Sequence, residues 1–570
     1  MRVGASLIGL AQRWMPASEC SALLEFWFAS EARERWFSST VAFDRVVAER
    51  WGPSLERWRG LEDVEEEMVG GISAEPAEQL LAHVVLWDQV SRHCARVEAA
   101  ESLVEATAPL AVATSRRLLE SAAADEWDTA RQCFVLLPLR HTFEPEVIEE
   151  CLRHARRWRE LPGADDKAWR RFETASIRAL CRANTALIEA EKGVSPEWWR
   201  FGDVLEAVPE GIEAAWEQRY ADRSASLAAY ATLRRKLRDR AESRFVVSVS
   251  GGVDSMVLLY LAARLGAPVV AAHVDYGNRA RSRTEADFVA SFCAELGVPL
   301  YRRNVSELQR GCIAREDYED ITRETRFGLY KKAGGDEDYA VVLGHNRNDA
   351  RENLFTNVNK GQHYDELRGM REDAVEQGVR TWRPLLEVPK SDIYEAAAAF
   401  RVPHCRDSTD PACERGRLRD DWLPLVFEKQ PLLVPGLERL ADHLSFLHAA
   451  WRRQLDDFWE TKATTLEDGR VIEMPVEPWM LRDSSSTSSS SSEMLWVDVF
   501  TLKLNEGGRR PSNRSLANFA AWLSRAAARR QEKKKSCFCE LSRDWRAEYV
   551  PQENGGGTLR LLRRRLLLLH

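Results

Sequence analysis

Long apolar runs are missing from this chain of 570 residues. No stretch reaches the roughly 18 consecutive apolar residues that a membrane-spanning helix needs, and the C-terminal run Leu566–Leu569 is far too short. These absences exclude a membrane protein, and we expect no membrane partner. An excess of positive charge is missing as well, because the net charge is -8. Contact with nucleic acid therefore has to come from local basic patches.

The 11 cysteines form neither a disulfide framework nor a zinc pattern. Their number is odd, and the nearest pair, Cys537 and Cys539, has no second pair or histidines at the spacing of a zinc site. We therefore expect reduced thiols and a cytoplasmic protein. The segment Met1–Ala17 contains Arg2 and Arg13 and no acidic residue, which leaves organelle targeting as an alternative.

The composition is that of a soluble, globular chain that is too long for one core. Hydrophobic residues make up 44% and charged residues 30%, and at roughly 100–200 residues per domain the length predicts three to four units. Over 18–241, apolar residues recur every three or four positions, which predicts an all-α helical array. From Arg244 onward, β-branched runs such as Phe245–Val249 alternate with helical patterns. This alternation predicts an α/β domain whose parallel sheet has helices on both faces.

The predicted fold is therefore multidomain, in five segments. They are an all-helical domain (18–241), a Rossmann-like α/β domain (244–428), a helical extension (429–483), a serine-rich linker (484–492) and a mixed, basic C-terminal appendage (493–570).

The loop Ser250–Ser255, with the sequence S-G-G-V-D-S, lies between the first predicted strand and the helix after it. Backbone N–H groups at a helix N-terminus lack partners and attract anions. The two glycines let the backbone approach a phosphate closely, the two serines can donate hydrogen bonds to it, and Asp254 can hold Mg²⁺ against it. The Walker-type string G-x-x-x-x-G-K-[ST] and its lysine are absent here. The sequence therefore predicts a phosphate site of a different type.

S-G-G-x-D-S after a strand resembles the PP-loop of ATP pyrophosphatases, a family that cleaves ATP between its α and β phosphates. The next strand ends in His273-Val-Asp-Tyr-Gly277, followed by Arg279, which resembles the H-x-D-H-G-L-R motif of the tRNA(Ile)-lysidine synthase family. Tyr276 and Asn278 depart from that motif. Because ligands bind at the carboxyl ends of strands in open α/β sheets, Asp275 is a predicted Mg²⁺ or ATP contact. A turn cap is its alternative role.

Two further segments match the same family. Thr322–Phe327 resembles its A-R-E-A-R-Y helix, whose first arginine, here Arg323, faces the ATP phosphates. Gly344–Glu352 resembles H-H-x-D-D-Q-x-E-T, with matches at His345, Asp349 and Glu352. The two acids are three residues apart and share a helix face, where they can bind Mg²⁺ or hold a cationic amine. The departures from this motif are Asn346, Asn348, Ala350 and Asn353.

The last matches are Leu367–Met370, Arg383–Leu386 and the loop from Asp407 to Pro424. Arginines at every second position of this loop would face ATP or a phosphate backbone: Arg415, Arg417 and Arg419. A salt-bridged surface is the alternative, because acids alternate with them: Asp410, Glu414, Asp420 and Asp421.

The flanking regions resemble less specific patterns. Phe26-Trp-Phe28, Trp87–Arg92 and Leu137–His141 resemble motifs of an uncharacterised bacterial helical family with tetratricopeptide-like packing. We expect a buried polar network or a binding groove there, with a protein partner as one possibility. Basic residues near the C-terminus predict tRNA backbone contacts or a solvated linker: Arg525, Arg529, Arg530 and Lys533–Lys535.

The resemblance implies an ATP- and Mg²⁺-dependent ligase of the tRNA(Ile)-lysidine synthase or 2-thiocytidine synthase type. In the lysidine reaction, ATP adenylates a tRNA cytidine and lysine then displaces AMP. Thiolation of tRNA is one alternative, although no C-x-x-C pair is present. A non-catalytic tRNA-binding scaffold is the other, and the departures at Tyr276, Asn348 and Ala350 favour it.

The site residues implied by the resemblance fall into four groups. The ATP-binding residues are Ser250, Gly251, Gly252, Val253, Asp254, Ser255, His273, Asp275 and His345. The catalytic residues are Asp254, Asp349 and Arg323, and the metal ligands are Asp254, Asp349 and Glu352. The tRNA or substrate contacts are Arg279, Arg415, Arg417 and Arg419.

Overall fold

The structure is a computed structural model that divides into two compact units, Leu139–Phe446 and Met1–Pro138 together with Leu447–His570. The residues described are 15–29, 41–56, 76–98, 100–121, 123–191, 212–213, 223–277, 282–308, 311–362, 364–405, 414–466, 471–477, 480, 496, 498–500, 513–528, 537–541, 545–551 and 557–563. Several predicted features lie outside them: Arg279, the linker 484–492, Arg529, Arg530 and Lys533–Lys535.

The first segment of the Met1–Pro138 unit is helical, as its apolar periodicity predicts. Its helices are α1 (Ala17–Phe28), α2 (Val41–Glu56), α3 (Ala77–Val84), α4 (Ser91–Glu98), α5 (Glu101–Glu120) and α6 (Thr129–His141). A π-helical turn, Val85–Val90, joins α3 to α4. The aromatic residues form the core, where Trp27 packs edge-on against Phe134 with ring centroids 6.0 Å apart.

A buried polar network crosses these helices. Asp44 accepts hydrogen bonds from His93 Nδ1 (2.5 Å) and Arg96 Nη2 (2.8 Å), and Asp88 pairs with Arg92 at 3.2 Å. Burial lowers the pKa of His93 below its usual range, although Asp44 opposes this shift. The contacts of Asp44 therefore form a buried polar network that links α2 to α4, and the ion pair of Asp88 with Arg92 lies where the π-helical turn meets α4.

The second unit is built on a seven-stranded sheet of order β1-β5-β4-β3-β6-β8-β7. Its inner five strands are parallel, and β1 and β7 pair antiparallel at the two edges. The strands are β1 (Ala190–Glu191), β3 (Arg244–Ser248), β4 (Val269–Asp275), β5 (Leu300–Asn304), β6 (Tyr339–Val342), β7 (Asp373–Glu376) and β8 (Val379–Trp382). A separate pair joins β2 (Ile212–Glu213) to β9 (His404–Cys405).

Helices cover both faces of this sheet, so the predicted α/β fold is confirmed. Successive side chains of β3 point to opposite faces, and Phe245 and Val247 join one core cluster whereas Val246 joins another. The helices along this part of the chain, not all of which contact the sheet, are α7 (Pro145–Arg159), α8 (Asp166–Ala186), α9 (Arg223–Arg238), α10 (Val253–Arg264), α11 (Ser282–Glu295), α12 (Arg315–Gly334), α13 (Arg347–Asn359), α14 (Tyr364–Leu367), α15 (Lys390–Phe400), α16 (Glu414–Arg417), α17 (Leu423–Lys429) and α18 (Leu433–Lys462). Leu455 of α18 packs in the apolar cluster of the C-terminal segment.

The range 18–241, which we predicted as one helical domain, is divided in the structure. Helices α7 and α8 pack against the sheet unit, where Ile177 and Leu180 share a buried cluster with Val305 and Ile321. Glu191 on β1 also pairs with Arg302 on β5 at 3.0 Å. The periodicity of α7 and α8 predicts a buried face, but it does not specify which surface covers that face.

The C-terminal segment forms a five-stranded antiparallel sheet of order β10-β11-β14-β13-β12. Its elements are β10 (Thr464–Leu466), β11 (Val471–Pro475), α19 (Asn513–Ala528), β12 (Cys537–Glu540), β13 (Trp545–Pro551) and β14 (Gly557–Arg563). Alternating residues of β13, Trp545, Ala547 and Tyr549, are buried beneath α19 side chains such as Phe519. Strands β10 and β11 lie where we predicted a helical extension. Among the described residues, no helix has the length and apolar character needed to cross a membrane.

Candidate active site

The loop between β3 and α10 is held in a conformation that favours glycine. Gly251 has a φ of +86°, and its carbonyl accepts a hydrogen bond from Cys405 N at 2.8 Å. A Cβ at this position would lie 3.1 Å from Cys405 Sγ. A side chain at Gly251 would therefore strain the backbone and press on β9 at the same time.

Both serines of the loop stabilise its shape. Ser255 Oγ donates to Gly252 O (3.0 Å) and accepts from Ser250 N (3.0 Å), and Ser250 Oγ accepts from Gly252 N (3.3 Å). Gly252 caps α10 without a side-chain hydrogen bond. The first turn of α10, which begins at Val253, therefore keeps backbone N–H groups that can bind an anion.

Asp254 in this first turn is bound from two sides by residues distant in sequence. Lys390 Nζ lies 2.5 Å from its Oδ2, and Asn346 Nδ2 donates to its Oδ1 at 2.9 Å. Burial raises the pKa of Asp254 above its usual range, and the nearby charge of Asp349 raises this pKa further. Lys390 and Asn346 oppose the shift. The pair with Lys390 thus compensates a carboxylate that is costly to bury alone.

Asn346, a departure from the family motif, has two structural tasks. Its side-chain oxygen caps α13 by accepting from the backbone N–H groups of Asn348 and Asp349, while its amide nitrogen binds Asp254. Asp349 completes a capping box by accepting from Asn346 N at 3.1 Å. Gly344 lies against α10, since a Cβ there would be 3.1 Å from the Asp254 carbonyl carbon. The loop after β6 is thereby joined to the loop after β3.

Arg323 and His345 belong to one connected chain of polar contacts. Arg323 Nη2 donates to Glu376 Oε2 at 3.2 Å, Glu376 also binds Arg383, and Arg383 Nε donates to His345 Nδ1 at 3.0 Å. Arg383 is buried, whereas Arg323 is half exposed. The structure thus connects Arg323 to His345 through Glu376 and Arg383. His345 directly precedes Asn346 in the chain.

Two polar side chains at the end of β4, those of His273 and Asp275, form hydrogen bonds with nearby backbone groups. His273 is buried, and its Nδ1 donates to Val249 O at 2.8 Å, while its Nε2 is buried and has no hydrogen-bond partner among the residues that the structure describes. Burial lowers the pKa of His273. Asp275 Oδ1 accepts from Gly277 N at 2.8 Å, so it caps its own turn, which is the alternative role considered for it. Tyr276 packs against the cluster that contains Ile321.

The remaining predicted site residues, Glu352 and the arginines of the loop before Pro424, have different environments. Glu352 is buried and accepts two hydrogen bonds from Arg419, at 2.7 Å from Nε and 3.2 Å from Nη2. Arg417 is exposed, and the side chain of Arg415 lies outside the described residues. Glu352 is therefore held by an arginine, a different environment from the metal site predicted for it.

The described residues fit a magnesium ion that is bound mainly through phosphates. No group of three or more His, Cys, Asp or Glu side chains among them could hold a metal ion without other ligands. Mg²⁺ usually takes one or two carboxylates together with substrate phosphates and water. Asp254 and Asp349, whose charges interact, would be those carboxylates.

Two residues of the site, Lys390 and Glu376, were not predicted from the sequence, and Arg383 was matched as part of a motif without a role. Lys390 lies 136 positions after Asp254, and Glu376 and Arg383 lie on the hairpin strand β7 and just after β8. The one available signal was that Lys390 follows Arg383-Pro-Leu-Leu386 within the matched region and opens a helix.

Comparison with known proteins identifies the family of the part of the chain that contains this loop. Residues 226–426 match a family described as a PP-loop domain. A tRNA(Ile)-lysidine synthase from Chlamydia felis is 32% identical over 225 residues, which cover 38% of this chain and 68% of that protein. The chain belongs to the tRNA(Ile)-lysidine synthase family. A second tRNA(Ile)-lysidine synthase, from Chlamydia muridarum, is 33% identical over 205 residues, which cover 34% of this chain and 62% of the length of that relative.

Membership of the tRNA(Ile)-lysidine synthase family concerns the PP-loop part of the chain. Residues 23–188 match a different family, described as a bacterial protein of unknown function. Among solved structures, a U34-tRNA thiolase from Methanococcus maripaludis with its 4Fe-4S cluster is 20% identical. That match covers 38% of this chain and 80% of the thiolase, with a TM-score of 0.31.

Proposed function

We propose that this protein is an ATP-dependent ligase that adenylates a cytidine of a tRNA and then joins lysine to the activated base with release of AMP. The observation that carries the proposal is the junction of two family motifs, the PP-loop and the loop after β6, through Asp254 and Asn346. Family membership supports the same activity, because relatives are named tRNA(Ile)-lysidine synthase.

The proposed reaction has two displacement steps. First, O2 of the cytidine attacks the α-phosphorus of ATP, and the bond to the β-phosphate oxygen breaks, which releases pyrophosphate. Second, the amine nitrogen of lysine attacks C2 of the base, the C2–O2 bond breaks, AMP leaves and the amine loses a proton. The protein supplies orientation and charge compensation, which are the main contributions in such displacements.

The residues of the site have matching roles in this proposal. The N–H groups at the start of α10 bind the β and γ phosphates, and Asp254 with Asp349 would hold Mg²⁺, which neutralises phosphate charge when bound. Glu352 is a candidate for the cationic amine of lysine, because in the structure it already binds the cationic Arg419. Arg417, exposed on α16, is a candidate tRNA contact.

Three of the departures from the family motifs have structural roles in the site, which weakens the case for a degenerate scaffold. Asn346 caps α13 and binds Asp254, the side-chain oxygen of Asn348 accepts from Lys390 N at 3.2 Å, and Tyr276 fills an apolar cluster. Each residue has a local role in a connected site. Thiolation is the weaker candidate, because no C-x-x-C pair occurs in the sequence.

The test combines the full-length protein with ATP, radiolabelled lysine and total tRNA. We expect label in tRNA and tRNA-dependent release of pyrophosphate, and we expect Asp254→Ala to lower that release by roughly 100-fold or more. Asp88→Ala, in the N-terminal helices, is the matched control and should leave release unchanged. Pyrophosphate release without label would indicate another nucleophile, and no release with any tRNA would support the scaffold.

A further inference from the structure

Lys390 provides a cation to a phosphate loop that has none of its own. The loop Ser250–Ser255 contains no lysine or arginine, yet the Lys390 ammonium lies 2.5 Å from Asp254. The arginines near the site have other carboxylate partners, since Arg323 and Arg383 bind Glu376 and Arg419 binds Glu352. Lys390 pairs with the acid of the loop itself.

The structure positions Lys390 from its own helix and from α13. Lys390 is the first residue of α15, after the N-cap Pro389, and its backbone N–H is bound by Asn348 Oδ1. Its ammonium lies 5.6 Å from the ring centre of Tyr394, one turn further along. The side chain is 26% exposed, so its charged end can reach both the protein and a ligand at the loop.

We propose that Lys390 is a phosphate-binding residue that pairs with Asp254 in the structure described here and contacts the β and γ phosphates when ATP binds. This inference rests on the proposed function, because it assumes that ATP is the substrate. A lysine suits the task since it is a compact charge on a flexible stem and can move between two anions. It takes the place of the Walker-type lysine, from a helix 136 residues downstream.

The environment of Asp254 also explains why the lysine is needed before ATP binds. The Asp254 side chain is only 22% exposed, and a carboxylate that is partly removed from water is destabilising without a charged partner. Asp254 would be a ligand of Mg²⁺ when ATP binds, and Lys390, no longer needed to compensate the carboxylate, would then be available to the phosphates. The geometry therefore assigns Lys390 two anionic partners in sequence, the carboxylate and then the triphosphate.

The test is calorimetric binding of ATP and of AMP, each with Mg²⁺, to the full-length protein and to Lys390→Met, Lys390→Gln and Lys390→Arg. We expect the Met and Gln variants to bind ATP about 10-fold more weakly while their affinity for AMP stays unchanged, because AMP lacks the β and γ phosphates. The Arg variant keeps a cation and should bind ATP within about threefold of the wild type. Lys236→Met, which removes a lysine paired with Glu372 at 2.7 Å, is the control and should match the wild type.

Several outcomes would overturn the inference. An equal loss of affinity for ATP and AMP would show that Lys390 only shapes the loop, and unchanged ATP affinity in the Met and Gln variants would show no phosphate contact. A wild-type protein that binds ATP but transfers no lysine would contradict the proposed function while leaving the assignment of Lys390 intact. A wild-type protein that does not bind ATP would contradict both.

Discussion

Two parts of one helical stretch differ in what covers their apolar faces. Helices α1 to α6 bury aromatic side chains among themselves, as in the contact of Trp27 with Phe134. Helices α7 and α8 bury theirs against the sheet unit, where Leu180 packs with Ile321. Both parts show the same three- and four-residue periodicity. An amphipathic helix thus specifies that a face is buried, whereas the surface available in the folded chain decides which partner buries it.

Because of this difference, the ends of the family matches along the chain do not coincide with the ends of the compact units in the structure. The match to the family of unknown function ends at residue 188, and the match to the PP-loop family begins at residue 226. The compact unit that contains the PP-loop, however, begins already at Leu139. The pairing of β1 with β5 extends the sheet with residues from the helical region. The PP-loop unit therefore includes part of a region that sequence similarity assigns elsewhere.

We expect the largest loss of stability when the PP-loop unit is truncated at the start of the family match instead of at the start of the compact unit. We expect a fragment of residues 139–446 to unfold cooperatively on heating and a fragment of residues 226–446 to lose that transition. The shorter fragment exposes Val305 and Ile321, and each fully buried aliphatic side chain contributes roughly 1.5–3 kcal/mol. Circular dichroism and dye binding would measure the transition. Equally sharp transitions in both fragments would contradict the packing described for α7 and α8.

Single leucine-to-alanine substitutions, which create cavities, compare the two sets of helices with smaller expected losses of stability. Leu180→Ala in α8 and Leu81→Ala in α3 both remove a fully buried leucine, and each should lower the free energy of unfolding by roughly 2–5 kcal/mol. The effects should fall on different units, with faster hydrogen exchange in β5 and α12 for the first variant and in α1 and α5 for the second. Weaker ATP binding is expected for Leu180→Ala alone. Faster exchange in the same peptides for both variants would contradict the comparison.

Acid should weaken the first six helices through His83. This histidine is fully buried between Met15 N and Gln79 O, and burial lowers its pKa from 6.5 to about 4. The unfolded chain therefore binds a proton that the folded chain rejects between these pH values. Stability present above pH 6.5 is lost as the pH falls towards 4, by about 3 kcal/mol at most.

His83→Gln, which cannot take up the proton, provides the comparison for this effect. Hydrogen exchange of α1 and α3 at pH 7 and pH 4.5 would measure it in both proteins. We expect the wild type to lose more protection than the variant on acidification. Equal losses in both proteins would remove His83 as the cause.

The smallest effect is expected at the exposed contacts of α8. Arg182 pairs with Glu324 at 3.2 Å, and its side chain is 57% exposed, so Arg182→Ala should lower the free energy of unfolding by about 0.2–1 kcal/mol. A high salt concentration should reduce even this difference. Urea denaturation at low and high salt would measure it. A loss as large as that of Leu180→Ala would mean that ion pairs, not apolar burial, attach α8 to the sheet.

Local sequence patterns predict much of the site, but they do not predict the long-range contacts that join its loops. Strand β3, the S-G-G-V-D-S loop and α10 are adjacent in sequence, so their order alone predicts a phosphate site at a helix N-terminus. His345 and Asp349 were identified by the resemblance of Gly344–Glu352 to a family motif. By contrast, the partners of Asp254 are 92 and 136 residues away, and a motif comparison scored Asn346 as a departure although it joins the two loops.

The sequence by itself determined the alternation of strands and helices, the glycine loop and the family to which the PP-loop part belongs, because each depends on neighbouring residues or on ordered motifs. The tertiary structure alone decided that Lys390 faces Asp254, that Arg419 holds Glu352 and that α7 and α8 belong with the sheet. The physical reason is that charge compensation and apolar burial act over a few ångströms of space, whatever the separation along the chain.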